Sequence, residues 1–202
     1  PCKLAMLWVS NEKKEHRFTF ADMKKYSNMT ANYLESLGIG KGDRVMLVLK
    51  RHYQFWFTML ALHKIGAIAI PATNQLVEHD FTYRYEAAGV KAIICTSDGD
   101  VSEQAEKASE GFPDMIKVIV GGKKQGWHDY NSEMMLCSDI YERSKNTPCG
   151  DDTMLMLFTS GTTGYPSIAA HSYTYALGHY PTAKYWHNVN PDGLHFTISD
   201  TG

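Results

Sequence analysis

The sequence predicts an α/β fold, a mainly parallel sheet with helices on both faces, and three observations carry that reading. Short, near-continuous apolar runs recur at 44–50 (RVMLVLK), 67–72 (AIAIPA), 91–97 (KAIICTS) and 116–121 (IKVIVG). Turn residues bound each run, as expected of strands buried on both faces. Stretches of helical spacing separate them, and three of these close on Gly38, Gly66 and Gly89, the residue best suited to ending a helix. Alternation of the two kinds of segment, from residue 18 to 200, is the pattern of βαβ units.

Taken in order, Thr19 caps the first helix, with Asp22 at the third position of a capping box. Met23, Tyr26, Tyr33, Leu34 and Leu37 follow at helical spacing. Residues 54–66 (QFWFTMLALHKIG) and 78–89 (EHDFTYRYEAAG) read as the next two helices, and 101–110 (VSEQAEKASE) as a polar-faced one. The rhythm breaks at 121–150, where glycines, a proline and mixed charges indicate a surface excursion with one short helix in SDIYERS (138–144). This is the candidate boundary: residues 1–150 form one α/β subdomain, and 151–202 begin a second with its own sheet. A strand is expected at 153–160 (TMLMLFTS) and a helix across 173–189, interrupted at Pro181. A turn at NPDG (190–193) precedes a last strand in LHFTISD (194–200).

Composition narrows the function. With 20 basic and 22 acidic residues the net charge is -2, which argues against an electrostatic footprint for nucleic acid or an anionic membrane. No run approaches the ~18 apolar residues of a membrane span, and no signal pattern opens the chain, so a cytoplasmic location is expected. Cys2, Cys95, Cys137 and Cys149 are scattered and read as reduced, mostly buried thiols. His171, His179, His187 and His195 recur every eight residues without a metal-ligand pair, so no metal site is assigned to them. Tyr173, Tyr175, Tyr180, Tyr185 and Trp186 are read as helix packing rather than a cofactor box. Asp200-Thr201-Gly202 matches the D-T-G of aspartic proteases, but a βαβ chain is the wrong setting for that paired-carboxylate site.

Residues 159–164 (TSGTTG) are the candidate site. Gly161 and Gly164 let backbone N–H groups approach an anion, while Thr159, Ser160, Thr162 and Thr163 add hydroxyl donors. The hydroxyls also suit a magnesium ion (Mg2+) bound to phosphates. A strand, a small-residue loop and then a helix is the expected geometry. Neither common phosphate motif fits: the glycines are three apart, and no lysine follows them as G-x-x-x-x-G-K-[ST] requires.

The segment LFTSGTTGYPS (157–167) resembles the signature loop of the adenylate-forming superfamily of acyl-CoA synthetases, luciferases and peptide-synthetase adenylation domains, at Phe158 through Gly164 and at Pro166. Residues 16–72 are similar to the opening of that family, and 183–202 to its acetyl- and medium-chain acyl-CoA synthetase branch, so the likeness runs along the whole chain. The resemblance implies ATP, Mg2+ and coenzyme A, a small-molecule carboxylate substrate, and phosphate contacts from Thr159, Ser160, Gly161, Thr162, Thr163 and Gly164. It assigns no catalytic residue. It also implies an incomplete, N-terminal portion of the enzyme, expected to be inactive alone. The family lysine after the proline is Ser167 here, which predicts a weaker hold on ATP. A non-catalytic nucleotide-binding or scaffold protein on the same fold is the alternative.

Overall fold

The structure, a computed structural model, describes residues 1–160 and 164–196. It opens on an antiparallel hairpin of β1 (Leu4–Val9) and β2 (Glu15–Thr19), outside the βαβ rhythm. Aromatic rings fasten this hairpin: Phe18 lies 5.1 Å from Tyr53 and 5.2 Å from Phe57, and the Trp8 indole donates to the Arg51 carbonyl at 2.6 Å.

The first helix, α1 (Phe20–Ser36), begins as the sequence predicts. The Asp22 N–H donates to the Thr19 hydroxyl at 3.1 Å, and the Asp22 carboxylate accepts from the Thr19 N–H at 2.8 Å. There follow β3 (Arg44–Val48), α2 (Gln54–Ile65), β4 (Ile68–Pro71), α3 (Glu78–Ala88), β5 (Ala92–Thr96), α4 (Val101–Ser109) and β6 (Ile116–Val120). Gly66 and Gly89 end α2 and α3 in the left-handed conformation, φ +78° and +58°, where a side chain is strained. After β6 come β7 (His128–Asp129), α5 (Tyr130–Met134), β8 (Thr153–Thr159), β9 (Ser167–Ser172) and α6 (Tyr175–Gly178).

Seven strands form one sheet in the order β7-β6-β5-β3-β4-β8-β9, parallel throughout except for the antiparallel β8–β9 pair. Alternate strand residues feed two cores. Val45, Leu47 and Ile94 pack with Leu34, Leu62 and Tyr130 on the face of α1, α2 and α5. Met46, Val48 and Ile93 pack with Phe81, Tyr85 and Ala105 on the face of α3 and α4. Helices thus cover both faces, and the apolar runs are continuous for that reason.

Four expectations are corrected. SDIYERS is not helical: the side-chain amides of Asn28 and Asn32 on α1 donate to the carbonyls of Ser138, Asp139 and Ile140 at 2.8–2.9 Å, taking acceptors that a helix there would need. The short helix is α5, capped by Asp129, whose carboxylate accepts from the Ser132 N–H. No second sheet begins among the described residues after 150, because β8 pairs with β4 and extends the first sheet. Residues 173–189 form only α6 and a π-helical turn at Thr182–Trp186, with Pro181 between them; proline has no N–H to continue an α-helix. In place of helix packing, Tyr180, Tyr185 and Trp186 are exposed.

The NPDG turn is present, closed by the Gly193 N–H on the Asn190 carbonyl at 3.1 Å. Leu194–Phe196 are not in a strand, and the rest of the expected last strand, with Asp200, lies outside the described residues. All four cysteines are free; Cys95 is buried, while Cys2 and Cys149 are exposed rather than buried. Burial pushes the Cys95 thiol up to about 12.

Candidate functional site

The hydroxyl-rich segment follows β8 and joins it to β9. That corrects the expected order of strand, loop and helix: the chain leaves the loop as a strand. The outer edge of β8 offers unpaired backbone groups, and Ser167–Ser172 satisfies them in antiparallel register, from Thr159 opposite Ser167 to Leu155 opposite His171.

Of the six candidate residues, Thr159, Ser160 and Gly164 are described; Gly161, Thr162 and Thr163 lie outside the described residues. Thr159 is the last residue of β8, exposed, and its hydroxyl donates to the Ser167 carbonyl at 3.3 Å. Gly164 has φ +100°, a conformation that a side chain would strain. Ser167 is exposed and directly opposite Thr159, and opposed residues project to the same face of a sheet. Its side chain therefore stands at the base of the loop.

Helix α3 backs this base, which the sequence reading does not anticipate. The Tyr83 hydroxyl donates to the Pro166 carbonyl at 2.8 Å, and its ring lies 5.0 Å from Tyr165 and 6.3 Å from Phe158. The Arg84 guanidinium sits 5.1 Å from the Phe158 ring centroid and 3.5 Å from the Asp80 carboxylate one turn earlier. In FTYRYE (81–86) the buried Phe81 and Tyr85 carry the helical period. The only sequence signal for Tyr83 is an aromatic placed off that face.

The other end of β8 is anchored too. Lys41 Nζ lies 2.8 Å from the Asp152 carboxylate, and the Cys149 N–H donates to it at 2.7 Å. The Lys41 bond, then the Cys149 N–H, hold that carboxyl down to about 2.

The carboxyl ends of the parallel strands carry one further polar group. The chain steps from β3 to β4 on one side and then back across to β5, so α2 and α3 lie on opposite faces and the β3–β5 boundary is a topological switch point. His52 lies 2.7 Å from the Thr96 hydroxyl and 3.3 Å from Asp98 across that boundary. Burial lowers the His52 pKa, with Asp98 opposing it. Among the described residues no group of three His, Cys, Asp or Glu is placed to hold a metal ion. His171 and His179 instead lie 4.1 and 4.3 Å from the Tyr175 ring.

A mostly parallel sheet covered on both faces, with an antiparallel strand pair at one edge, defines a doubly wound α/β protein. The family model described as AMP-binding enzyme matches residues 1–197, and the chain belongs to that family. It is 32% identical over 206 residues to mouse (Mus musculus) acyl-coenzyme A synthetase ACSM5, mitochondrial, covering 100% of this chain and 35% of that protein. Identity to human (Homo sapiens) acyl-coenzyme A synthetase ACSM3, mitochondrial, is 31% over 207 residues, covering 100% and 34%. The chain thus spans about a third of the length of the curated relatives it matches.

Among solved structures, Brucella canis acyl-CoA synthetase superposes with TM-score 0.85 at 23% identity, over 98% of this chain and 36% of that one. The anthranilate CoA ligase AuaEII in complex with anthranoyl-AMP superposes with TM-score 0.77 at 21% identity, over 93% and 35%. These two likenesses establish the shared fold.

Proposed function

We propose that the chain supplies the triphosphate-gripping portion of an ATP-dependent, AMP-forming acyl-CoA synthetase. One observation carries the reading: Thr159, which opens the TSGTTG sequence, ends β8 and lies directly opposite Ser167, the first residue of β9. It is supported by the family match and by relatives whose names are those of acyl-CoA synthetases.

In the proposed reaction a carboxylate oxygen attacks the α-phosphorus of ATP, the bond to the β-phosphate oxygen breaks, and pyrophosphate leaves an acyl-adenylate. The thiolate of coenzyme A then attacks the acyl carbonyl carbon and AMP departs, the thiol proton going to solvent. Hydroxyls of Thr159, Ser160, Thr162 and Thr163, with N–H groups freed by Gly161 and Gly164, hold the β- and γ-phosphates and stabilise the charge gathering on pyrophosphate. That task is positioning and electrostatics. Mg2+ on the same hydroxyls and phosphates would neutralise part of that charge.

Ser167 sets the expected strength of this grip. A neutral hydroxyl forfeits part of the roughly 1.5–3 kcal/mol that a bond from a cation contributes. Calorimetric titration of Mg-ATP is therefore expected to show Ser167→Lys binding about tenfold tighter than the native chain, with Thr159→Ala weaker than native. Equal affinities for all three would overturn the assignment. Carboxylate-dependent ATP–pyrophosphate exchange is expected to be absent from the 202-residue chain alone. Ser167 also favours a second reading, a nucleotide-binding protein without turnover; exchange activity in a full-length polypeptide carrying Ser167 would dismiss it.

The division at residue 150 is proposed as a subdivision within one continuous sheet, at the point where the parallel order gives way to the β8–β9 pair. The free thiols fit a reducing compartment; cytoplasm is proposed on that ground, although the curated relatives carry "mitochondrial" in their names.

A further inference from the structure

A concave site lies near the Asp152 end of β8, away from Thr159. A cavity of about 460 Å3 opens between α1, α2, the 141–148 segment and Tyr173. Lys24, Lys64 and Arg143 line it and no carboxylate does. Among acids just outside the lining, Glu35 accepts from the Tyr141 hydroxyl at 3.2 Å, and Asp152, whose carbonyl accepts from the Tyr173 N–H at 3.2 Å, has its carboxylate paired with Lys41. Lys24 and Arg143 form no ion pair among the described residues.

Lys64 is the inner cation. Its ammonium donates to Ser27 Oγ and Asn28 Oδ1, both at 2.6 Å, which uses two of its three N–H donors. Burial, then the charge of Lys24, push its pKa down to about 8. Lys24 and Lys64 repel one another here, Arg143 lines the same cavity, and no carboxylate lines it, so an anion would relieve an electrostatic cost. His63 also lines the cavity, and its Nε2 is buried without a hydrogen-bond partner. The rest of the lining includes Leu60, Pro148 and the Tyr173 ring. Apolar walls with a few convergent charges are the usual make-up of a small-molecule site.

We propose that this cavity binds a small organic anion, its charge held by Lys24, Lys64 and Arg143 and its apolar body lying against Leu60, Pro148 and Tyr173. The site is separate from the TSGTTG loop and stands independently of the synthetase reading. Phenyl phosphate is the probe, titrated into the 15N-labelled 202-residue chain, with inorganic phosphate and phenol as comparators. Saturable shifts are expected at the amides of Asn28, Lys64 and Thr147. Phenyl phosphate should bind about tenfold tighter than inorganic phosphate, because its ring is buried.

Arg143 is exposed and bears no structural bond, so Arg143→Gln leaves the fold intact; it should weaken phenyl phosphate about threefold or more, as should high salt. Lys64→Met should weaken it further. Shifts confined to residues 159–164, phenol binding as tightly as phenyl phosphate, or unchanged affinity in both Arg143→Gln and Lys24→Gln would each overturn the proposal. Loss of ATP binding at the loop with these shifts intact would overturn only the synthetase reading.

Discussion

Residues 44–120 and residues 164–196 belong to one chain but are built on different terms. In the first region every strand is covered on both faces, and Phe81, Tyr85, Leu62 and Ile94 are almost wholly removed from solvent. In the second, β9 is an edge strand and the large apolar side chains beyond it face outward; Trp186 is 81% exposed and Phe196 84%. Hydrophobicity is similar to the eye in both, so apolar content alone does not say where a core is. What differs is whether the described residues include a second layer that receives the side chain.

The sharpest break in that comparison is a pair of truncations followed by urea denaturation. Phe81→Ala should cost about 3–5 kcal/mol, since it empties a closed site between α3 and the sheet. Trp186→Ala, a larger deletion, should change stability by less than about 0.5 kcal/mol. Equal costs would mean that residues 175–196 pack in solution as tightly as the sheet. The next largest effect is Gly89→Ala. A Cβ there would lie 2.7 Å from the Arg44 guanidinium, on a backbone with φ +58°, so a loss of about 1–2 kcal/mol is expected in thermal unfolding. Gly178→Ala, in open space and within α6, should by contrast be neutral or slightly stabilising.

Thr19→Ala should cost about 1 kcal/mol by removing the hydroxyl that caps α1; Thr174→Ala, before the short α6 with no side-chain cap, should cost far less. The smallest effect concerns pH. Burial lowers the His63 pKa, so the unfolded chain binds the proton more readily. Stability from this group is present above the unfolded value of about 6.5 and is lost as pH falls below it. The urea midpoint should therefore drop between pH 7.5 and about 5.5, and His63→Gln should flatten that drop; an unchanged slope would show His63 to be solvated.

The sequence was legible where burial is two-sided. Runs such as AIICT and the glycines at 66 and 89 announce their elements because the same physics that makes a covered parallel strand apolar makes its helix stop on a left-handed residue. Five-residue α5 carries too few positions to show a period, and two-residue β7 has no pattern at all. The fate of SDIYERS was decided by Asn28 and Asn32, more than a hundred residues away, and no local reading reaches that far. For the candidate site, the composition of 159–164 and the departure at Ser167 were visible, whereas the strand that follows was hidden. SIAAHS has no clean alternation and a single strong β-former, Ile168, and it pairs because β8 presents a free edge. Tyr83 and Arg84 were hidden for the same reason: their value lies in what the fold sets beside them.

The pairing of Thr159 with Ser167 fixes the two strand ends that the loop connects, and the Tyr83 hydroxyl donates to the Pro166 carbonyl beside one of them. The entropy of bringing those ends together is lost once, when the hairpin forms, so a ligand of the proposed kind would not have to supply it. Beyond those ends, β8 is anchored by the Asp152–Lys41 pair and the loop's exit by Tyr83 of α3. The connection is thereby tied to both halves of the molecule, to the covered sheet through β8 and α3 and to the exposed region through β9.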